Sequence, residues 1–177
     1  MARDFIINNP VMTLKGRRKL AERSKISRIL DLLSRDKDYE VRMNVAENPN
    51  TRLKTLTRLS KDEEFLVRKR VASNPNTSVE TLDRLSMDDD KWIREKVALN
   101  PNTSVETLAK LSRDEDYWVR YQVAENPNTR LRTLTRLSQD KDILVRTYVV
   151  RNPKWQAIEE SGLFDVARLA SKWLNIL

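Results

Sequence analysis

The sequence predicts an all-α solenoid, and three observations carry that prediction. Asn-Pro-Asn-Thr opens at Asn48, Asn74, Asn100 and Asn126, and Asn152-Pro153 begins a fifth copy, each 26 residues after the last. Within every unit the apolar residues fall into two sets with helical spacing. Each set is closed by polar residues and proline, in a chain with only two glycines, Gly16 and Gly162. A period of this size belongs to arrays in which each unit buries its apolar face only against its neighbours. Such an array offers an extended surface rather than an enclosed catalytic pocket.

The units are residues 48–73, 74–99, 100–125 and 126–151. A degenerate copy at 22–47 loses the opening turn, but Ile29-Leu30, Leu33-Ser34, Asp36, Val41-Arg42 and Val45-Ala46 keep the register. Residues 1–21 read as a basic N-terminal cap. Residues 152–177 read as a divergent repeat ending in a cap helix built on Leu163, Val166, Ala167, Ala170, Trp173, Leu174 and Leu177. All of this forms one domain of stacked units.

Each unit opens with a short helix. Thr77 and Thr103 precede Glu80 and Glu106 by three residues, the spacing of a capping box; Thr51 and Thr129 cap without the Glu. Leu53-Leu56-Leu59, Val79-Leu82-Leu85, Val105-Leu108-Leu111 and Leu131-Leu134-Leu137 then recur at a spacing of three. That spacing suits a 3₁₀ helix, or about two turns of α-helix too short to drift. A Ser-x-Asp link (Ser60 and Asp62, Ser86 and Asp88, Ser112 and Asp114, Ser138 and Asp140) is expected to begin the second helix, since small oxygen-bearing and acidic side chains suit a helix N-terminus. The second helix buries residues at i and i+4: Val67 and Val71, Ile93 and Val97, Val119 and Val123, Val145 and Val149. Ala72, Ala98 and Ala124 permit close approach. The Asn of Asn-Pro ends this helix, either left-handed or, under the bias of the following proline, extended.

These residues carry a resemblance. The pattern Asn-Pro-Asn-Thr…Thr-Leu-x-x-Leu-Ser-x-Asp…Val-Arg-x-x-Val-Ala, held over about 130 of the 177 residues, is similar to that of the leucine-rich repeat variant family. The resemblance implies a right-handed α-α superhelix of alternating short 3₁₀ or α helices and longer α-helices, related in form to armadillo and HEAT repeats. The family's best-known member carries an iron–sulfur cluster on a cysteine-bearing N-terminal segment. This chain has no Cys, so no cofactor is carried over.

Composition narrows the chemistry. Without Cys there is no disulfide, thiolate metal site or cysteine nucleophile, and without His the commonest general base and metal ligand are missing. No catalytic or metal residues are expected. The acidic runs Asp88-Asp89-Asp90 and Asp114-Glu115-Asp116 lack the glycine and spaced ligands of a calcium loop and read as helix caps. Neither a signal peptide nor a membrane-spanning run is legible, so the expectation is a soluble, cytoplasmic monomer with no membrane contact.

The net charge of +8 is unevenly spread. Residues 1–21, 48–73 and 126–151 each carry +4, units 74–99 and 100–125 each carry −2, and the remainder is neutral. Two basic series are candidate binding residues. Arg42, Arg68, Arg94, Arg120 and Arg146 share one repeat position, as do Asp36, Asp62, Asp88, Asp114 and Asp140. The arginines form either a row for anions of a partner or a packing device paired to those aspartates, within a unit or between units. Arg58, Arg84, Lys110 and Arg136 form the second series. In the middle units Glu80 and Glu106 stand four residues earlier for intrahelical pairing. Lys54 and Arg132 replace them in the outer units, where Arg52 and Arg130 lie nearby, leaving Lys54/Arg58 and Arg130/Arg132/Arg136 as exposed cationic clusters. The aromatics Tyr39, Phe65, Trp92, Tyr117 and Trp118 give way to Ile143 and Leu144 in the last full unit, which favours core filling over base stacking. Lys15-Gly16-Arg17-Arg18-Lys19 is a short basic run.

The function expected from this pattern is a non-enzymatic scaffold that binds another protein. Nucleic acid bound through the basic clusters is the second reading, although an acidic middle is not the simplest nucleic-acid groove. A base-excising enzyme, as some HEAT-like DNA glycosylases are, is a remote third, since repeat packing already accounts for the Asp and Trp residues.

Overall fold

The computed structural model describes residues 12–161, and within them the chain is entirely helical outside its turns. Twelve helices follow one another: α1 (Leu14–Arg23), α2 (Ser27–Leu33), α3 (Tyr39–Glu47), α4 (Leu53–Leu59), α5 (Phe65–Ser73), α6 (Val79–Leu85), α7 (Lys91–Leu99), α8 (Val105–Leu111), α9 (Tyr117–Glu125), α10 (Leu131–Leu137), α11 (Ile143–Arg151) and α12 (Pro153–Glu160). Odd and even helices form two layers. Each odd helix packs along the next odd one, whereas successive even helices make few direct contacts. The result is an α-α solenoid with a close-packed layer of odd helices and open grooves between the even ones. The cap helix expected near the C-terminus lies outside the described residues.

The core is one continuous ribbon. Val67, Val71 and Ala72 of α5, Ile93, Val97 and Ala98 of α7, and Val119, Val123 and Ala124 of α9 are all fully buried, as the i, i+4 pattern requires. The even helices take the second of the two forms that their spacing allows. They are two-turn α-helices, and the 3₁₀ character is confined to their ends, where Lys61 N donates to Arg58 O and Asp62 N to Leu59 O, both at 3.1 Å. Only the second and third members of each apolar triplet are core: Leu82 and Leu85 are buried while Val79 is 44 % exposed, and Leu53 is 55 % exposed. The third inward position is a threonine, Thr55, Thr81, Thr107 or Thr133. An α-helix turns 100° per residue, so residue i−1 lies nearer the centre of this face than residue i−3.

Two caps also differ. The N-cap of α6 is Ser78 and that of α8 is Ser104, whose hydroxyls accept from Thr81 N and Thr107 N, so the Thr-Glu box does not form. The serines of the Ser-x-Asp link close the even helix rather than open the odd one. Ser60 Oγ donates to Thr57 O at 2.8 Å, and the odd helices are opened by Asp38, Glu64, Asp90, Asp116 and Asp142. The Asn before each proline is extended, for example φ −66° and ψ 129° at Asn100, as the proline dictates.

α1 takes the place of an odd helix, so residues 14–23 complete a unit instead of merely covering one. At the other end, Asn152 caps α12 directly through Lys154 N at 3.0 Å, and buried Trp155 occupies the position held elsewhere by Thr51, Thr77, Thr103 and Thr129. Leu82→Ala should cost about 2–3 kcal/mol, the low part of the range for a buried leucine, because an even helix has room to settle towards the core. Urea denaturation measures this, with Val79→Ala expected within about 0.5 kcal/mol of the parent as the control.

Candidate functional site

Both basic series point across the boundary between units. Each arginine of the first ladder binds in two directions. Arg94 Nη1 donates to the carbonyls of Asp88 (2.9 Å) and Asp89 (3.0 Å), which lead into its own helix. Its Nε and Nη2 meet Asp114 of the next unit at 2.7 and 3.0 Å, a bidentate fork. Arg42–Asp62, Arg68–Asp88 and Arg120–Asp140 repeat the arrangement at 2.7–2.8 Å. Hydrogen bonds to these aspartates hold the guanidinium pKa values of Arg42, Arg68, Arg94 and Arg120 above their ordinary value. Burial, the largest single influence, pushes the Asp140 carboxyl up, but the Arg120 fork, the Asp142 amide and the charge of Lys141 together leave the pKa lowered. Arg68, Arg94 and Arg120 are therefore committed to neighbouring units. Arg146 binds only the carbonyls of Asp140 and Lys141, with no carboxylate among the described residues.

The ladder starts earlier than the repeats suggest. Arg17 of α1 forks onto Asp36 at 2.7 and 3.4 Å, and Arg18 meets Asp38 at 3.0 Å and also Glu40. Two residues of the short basic run thus serve packing. A second ladder was not anticipated at all. The buried side chain of Asn100 donates Nδ2 to Ala72 O (2.8 Å) and Asn74 O (3.1 Å) at the C-terminal end of α5 and accepts Asn102 N at 2.9 Å. Asn74, Asn126 and Asn152 do likewise. The period of the tetrapeptide was its signal; the direction of its bonds is a tertiary property.

The second basic series lies in the grooves between even helices and reaches back one unit. Arg58 of α4 meets Asp31 of α2 at 2.8 Å, and Lys110 of α8 meets Asp83 of α6 at 2.8 Å. The intrahelical pairs of Glu80 with Arg84 and Glu106 with Lys110 do not form, because each cation has a better-placed acceptor across the groove. Arg84 instead donates to Ser60 Oγ. Arg58 is accordingly not part of an unpaired cluster, and Lys54 lines a separate shallow recess with Arg52, Pro49 and Asn76.

The groove between α8 and α10 is different. Position 109, homologous to Asp31 and Asp83, is alanine. Arg136 reaches back to Ala109 O at 3.1 Å and to Ser112 Oγ, but it meets no carboxylate. Arg113, Arg130, Arg132 and Lys110 share this groove, whose cavity measures about 370 Å³. Burial, together with the charges of Arg113 and Arg132, lowers the Arg136 pKa, the mark of a cation short of negative charge. Glu106, 3.5 Å from Arg130, is the single acidic residue of the lining. The structure thus brings Arg130, Arg132 and Arg136 together, as the sequence suggests, and adds Arg113 and Lys110 from the neighbouring unit.

Of the aromatics expected to fill the core, Tyr117 packs against it, and the others do not fill it. Tyr39, Phe65 and Trp92 are about 40 % exposed, and Trp92 lies between Lys69 and Lys91, 5.7 and 5.2 Å from its ring centroid. Among the described residues they cluster around α9, Trp118 on Tyr121 and Tyr121 on Tyr148, with centroids 5.4 and 4.1 Å apart. They start odd helices, where the first turn faces the rim.

This geometry, two helical layers tied by Arg–Asp and Asn rows, has known counterparts. The leucine rich repeat variant model matches residues 65–90 and 92–116. Eighteen chains of solved structures match. One of them, described as a leucine-rich repeat variant with a novel repetitive protein structural motif, superposes with a TM-score of 0.62 at 31 % identity over 77 % of this chain. In repeat pattern and in fold the chain is similar to leucine-rich repeat variant proteins. It spans 55 % of the length of that solved relative. No curated protein matches it. As in that repeat architecture, the helix pairs form a scaffold, and no described helix is long and apolar enough to cross a membrane.

Proposed function

We propose that this chain is a non-enzymatic, cytoplasmic scaffold that binds another protein along its layer of even helices. The supporting observation is a division of labour among side chains. Groups facing the odd layer and the unit boundaries, namely the Arg–Asp forks and the Asn side chains, are engaged in holding units together. Charged groups left to address a partner sit on the even helices: the recess at Lys54 and Arg52, the acidic Glu80, and the cationic groove at Arg130, Arg132 and Arg136. A surface whose sign changes along its length suits a folded or extended polypeptide of mixed charge. Asp62, Asp88, Asp114 and Asp140 are engaged as ion-pair partners, and Asp38, Asp90, Asp116 and Asp142 as caps.

Affinity capture from the native cell, with half the sample treated with nuclease, tests this reading. A protein partner recovered equally from both halves is the expected result. Loss of every partner on nuclease treatment, with binding that falls steeply as salt is raised, would instead establish the nucleic-acid reading.

A further inference from the structure

The grooves between even helices form a natural series in which one position sets the charge balance. Asp31 supplies a carboxylate to Arg58, and Asp83 supplies one to Lys110. Thr57 and Ala109 supply none. In the Thr57 groove the cation is Arg84, which donates to Ser60 Oγ. In the Ala109 groove Arg136 is joined by Arg113 and Arg132, and none of the three has a carboxylate partner among the described residues. We propose that this groove is an oxyanion subsite that binds a phosphorylated side chain of the protein partner.

This inference rests on the protein-binding reading and names the chemistry recognised there. A single carboxylate balances one cation in the Asp31 and Asp83 grooves, and the Thr57 groove holds one cation alone. Three arginines around one cavity match the charge of a phosphate monoester, about −1.5 to −2 near neutral pH, and its three acceptor oxygens. The side chains of Val105 and Ala109 give the groove an apolar wall, against which the backbone or methylenes of a peptide can pack. A continuous polyanion fits less well. The next groove towards the N-terminus presents Asp83 and lies beside Glu80, so the cationic stretch is one phosphate long rather than a track.

The test uses the full chain and a peptide of seven neutral residues with a central phosphoserine, alongside the same peptide carrying Ser or Glu. Calorimetry at low salt measures affinity. Amide shifts of residues 105–113 and 130–136 report the location. The expected result is binding of the phosphopeptide at least about tenfold tighter than either control, in keeping with charge-assisted forks to a dianion, and competition by inorganic phosphate. Two variants should each weaken it by about tenfold or more: Ala109→Asp, which installs the side chain found at positions 31 and 83, and Arg132→Gln, which removes an exposed cation. Unchanged melting of both variants separates binding from folding.

Equal affinity for the Glu peptide, absence of binding, or wild-type affinity in folded Ala109→Asp would overturn the subsite. So would a single-stranded oligonucleotide that binds more tightly and shifts the same amides. A captured protein partner retained by Ala109→Asp and after phosphatase treatment would defeat this inference while leaving the scaffold standing. Nuclease-dependent capture would defeat the scaffold itself.

Discussion

Replacing Asn100 with alanine is expected to remove about 3–5 kcal/mol of unfolding free energy. Its amide is 3 % exposed and makes three bonds to backbone groups, two of them at the C-terminal end of α5. Alanine leaves Ala72 O and Asn74 O without this donor and Asn102 N without its acceptor, in a site closed to water. Each orphaned backbone group costs about 1–3 kcal/mol. Asn100→Asp is the sharper control, because a carboxylate keeps the acceptor but turns an oxygen onto two carbonyls. Urea denaturation should rank Asn100→Ala and Asn100→Asp far below Asn102→Ala, whose exposed amide makes one bond to Pro75 O, supplemented by a 3.4 Å contact to Thr77 O. A loss under about 1 kcal/mol at Asn100 would mean that the Asn row is not what joins the units. Because an array is stabilised by its nearest-neighbour interfaces, the same change should also broaden the transition as the two halves begin to melt separately.

How far the sequence reveals this molecule depends on whether a property is local or lies between units. The period, the two helices per unit and the i, i+4 core were legible because identical residues recur in identical surroundings. Asp36 to Asp140 and Arg42 to Arg146 were legible as rows for the same reason. The direction of pairing was not. Six residues separate Arg and Asp within a unit, yet the fork spans twenty, because α-helix geometry aims the side chain past its own link towards the next one. Arg17 was hidden by a one-residue slip, its separation from Asp36 being nineteen. Thr77 looked like a cap because helix α6 begins one residue later than the capping-box pattern suggests, which moves the role to Ser78. The cationic groove was half visible. Arg130, Arg132 and Arg136 stand together in one unit, but Arg113 and Lys110 come from the unit before. The decisive feature is an alanine where two sister units carry aspartate, a signal that only a unit-by-unit alignment exposes.

Arg94→Ala should cost about 3–5 kcal/mol, and the loss should exceed any effect on partner binding. The guanidinium is 11 % and the Asp114 carboxylate 7 % exposed, so the pair is largely withdrawn from water. Deleting the cation strands Asp114 as a desolvated charge with Asp116 N, at 3.0 Å, as its remaining donor in the link. It also strips the Asp88 and Asp89 carbonyls of a shared donor. The cost therefore includes an uncompensated charge as well as missing hydrogen bonds. Arg94→Lys should recover less than half of it, since an ammonium supplies one point of contact where a planar fork supplies two and still has the carbonyls to serve. The double variant Arg94→Ala with Asp114→Ala should be more stable than Arg94→Ala alone, because it removes the stranded carboxylate. If thermal melting of Arg94→Ala is unchanged while a captured partner is lost, the row is a binding surface after all, and the ion pairs are incidental to the stack. The expected outcome is the reverse: melting falls, the partner remains bound at low temperature, and the grooves between the even helices keep their role because they take no part in the fork.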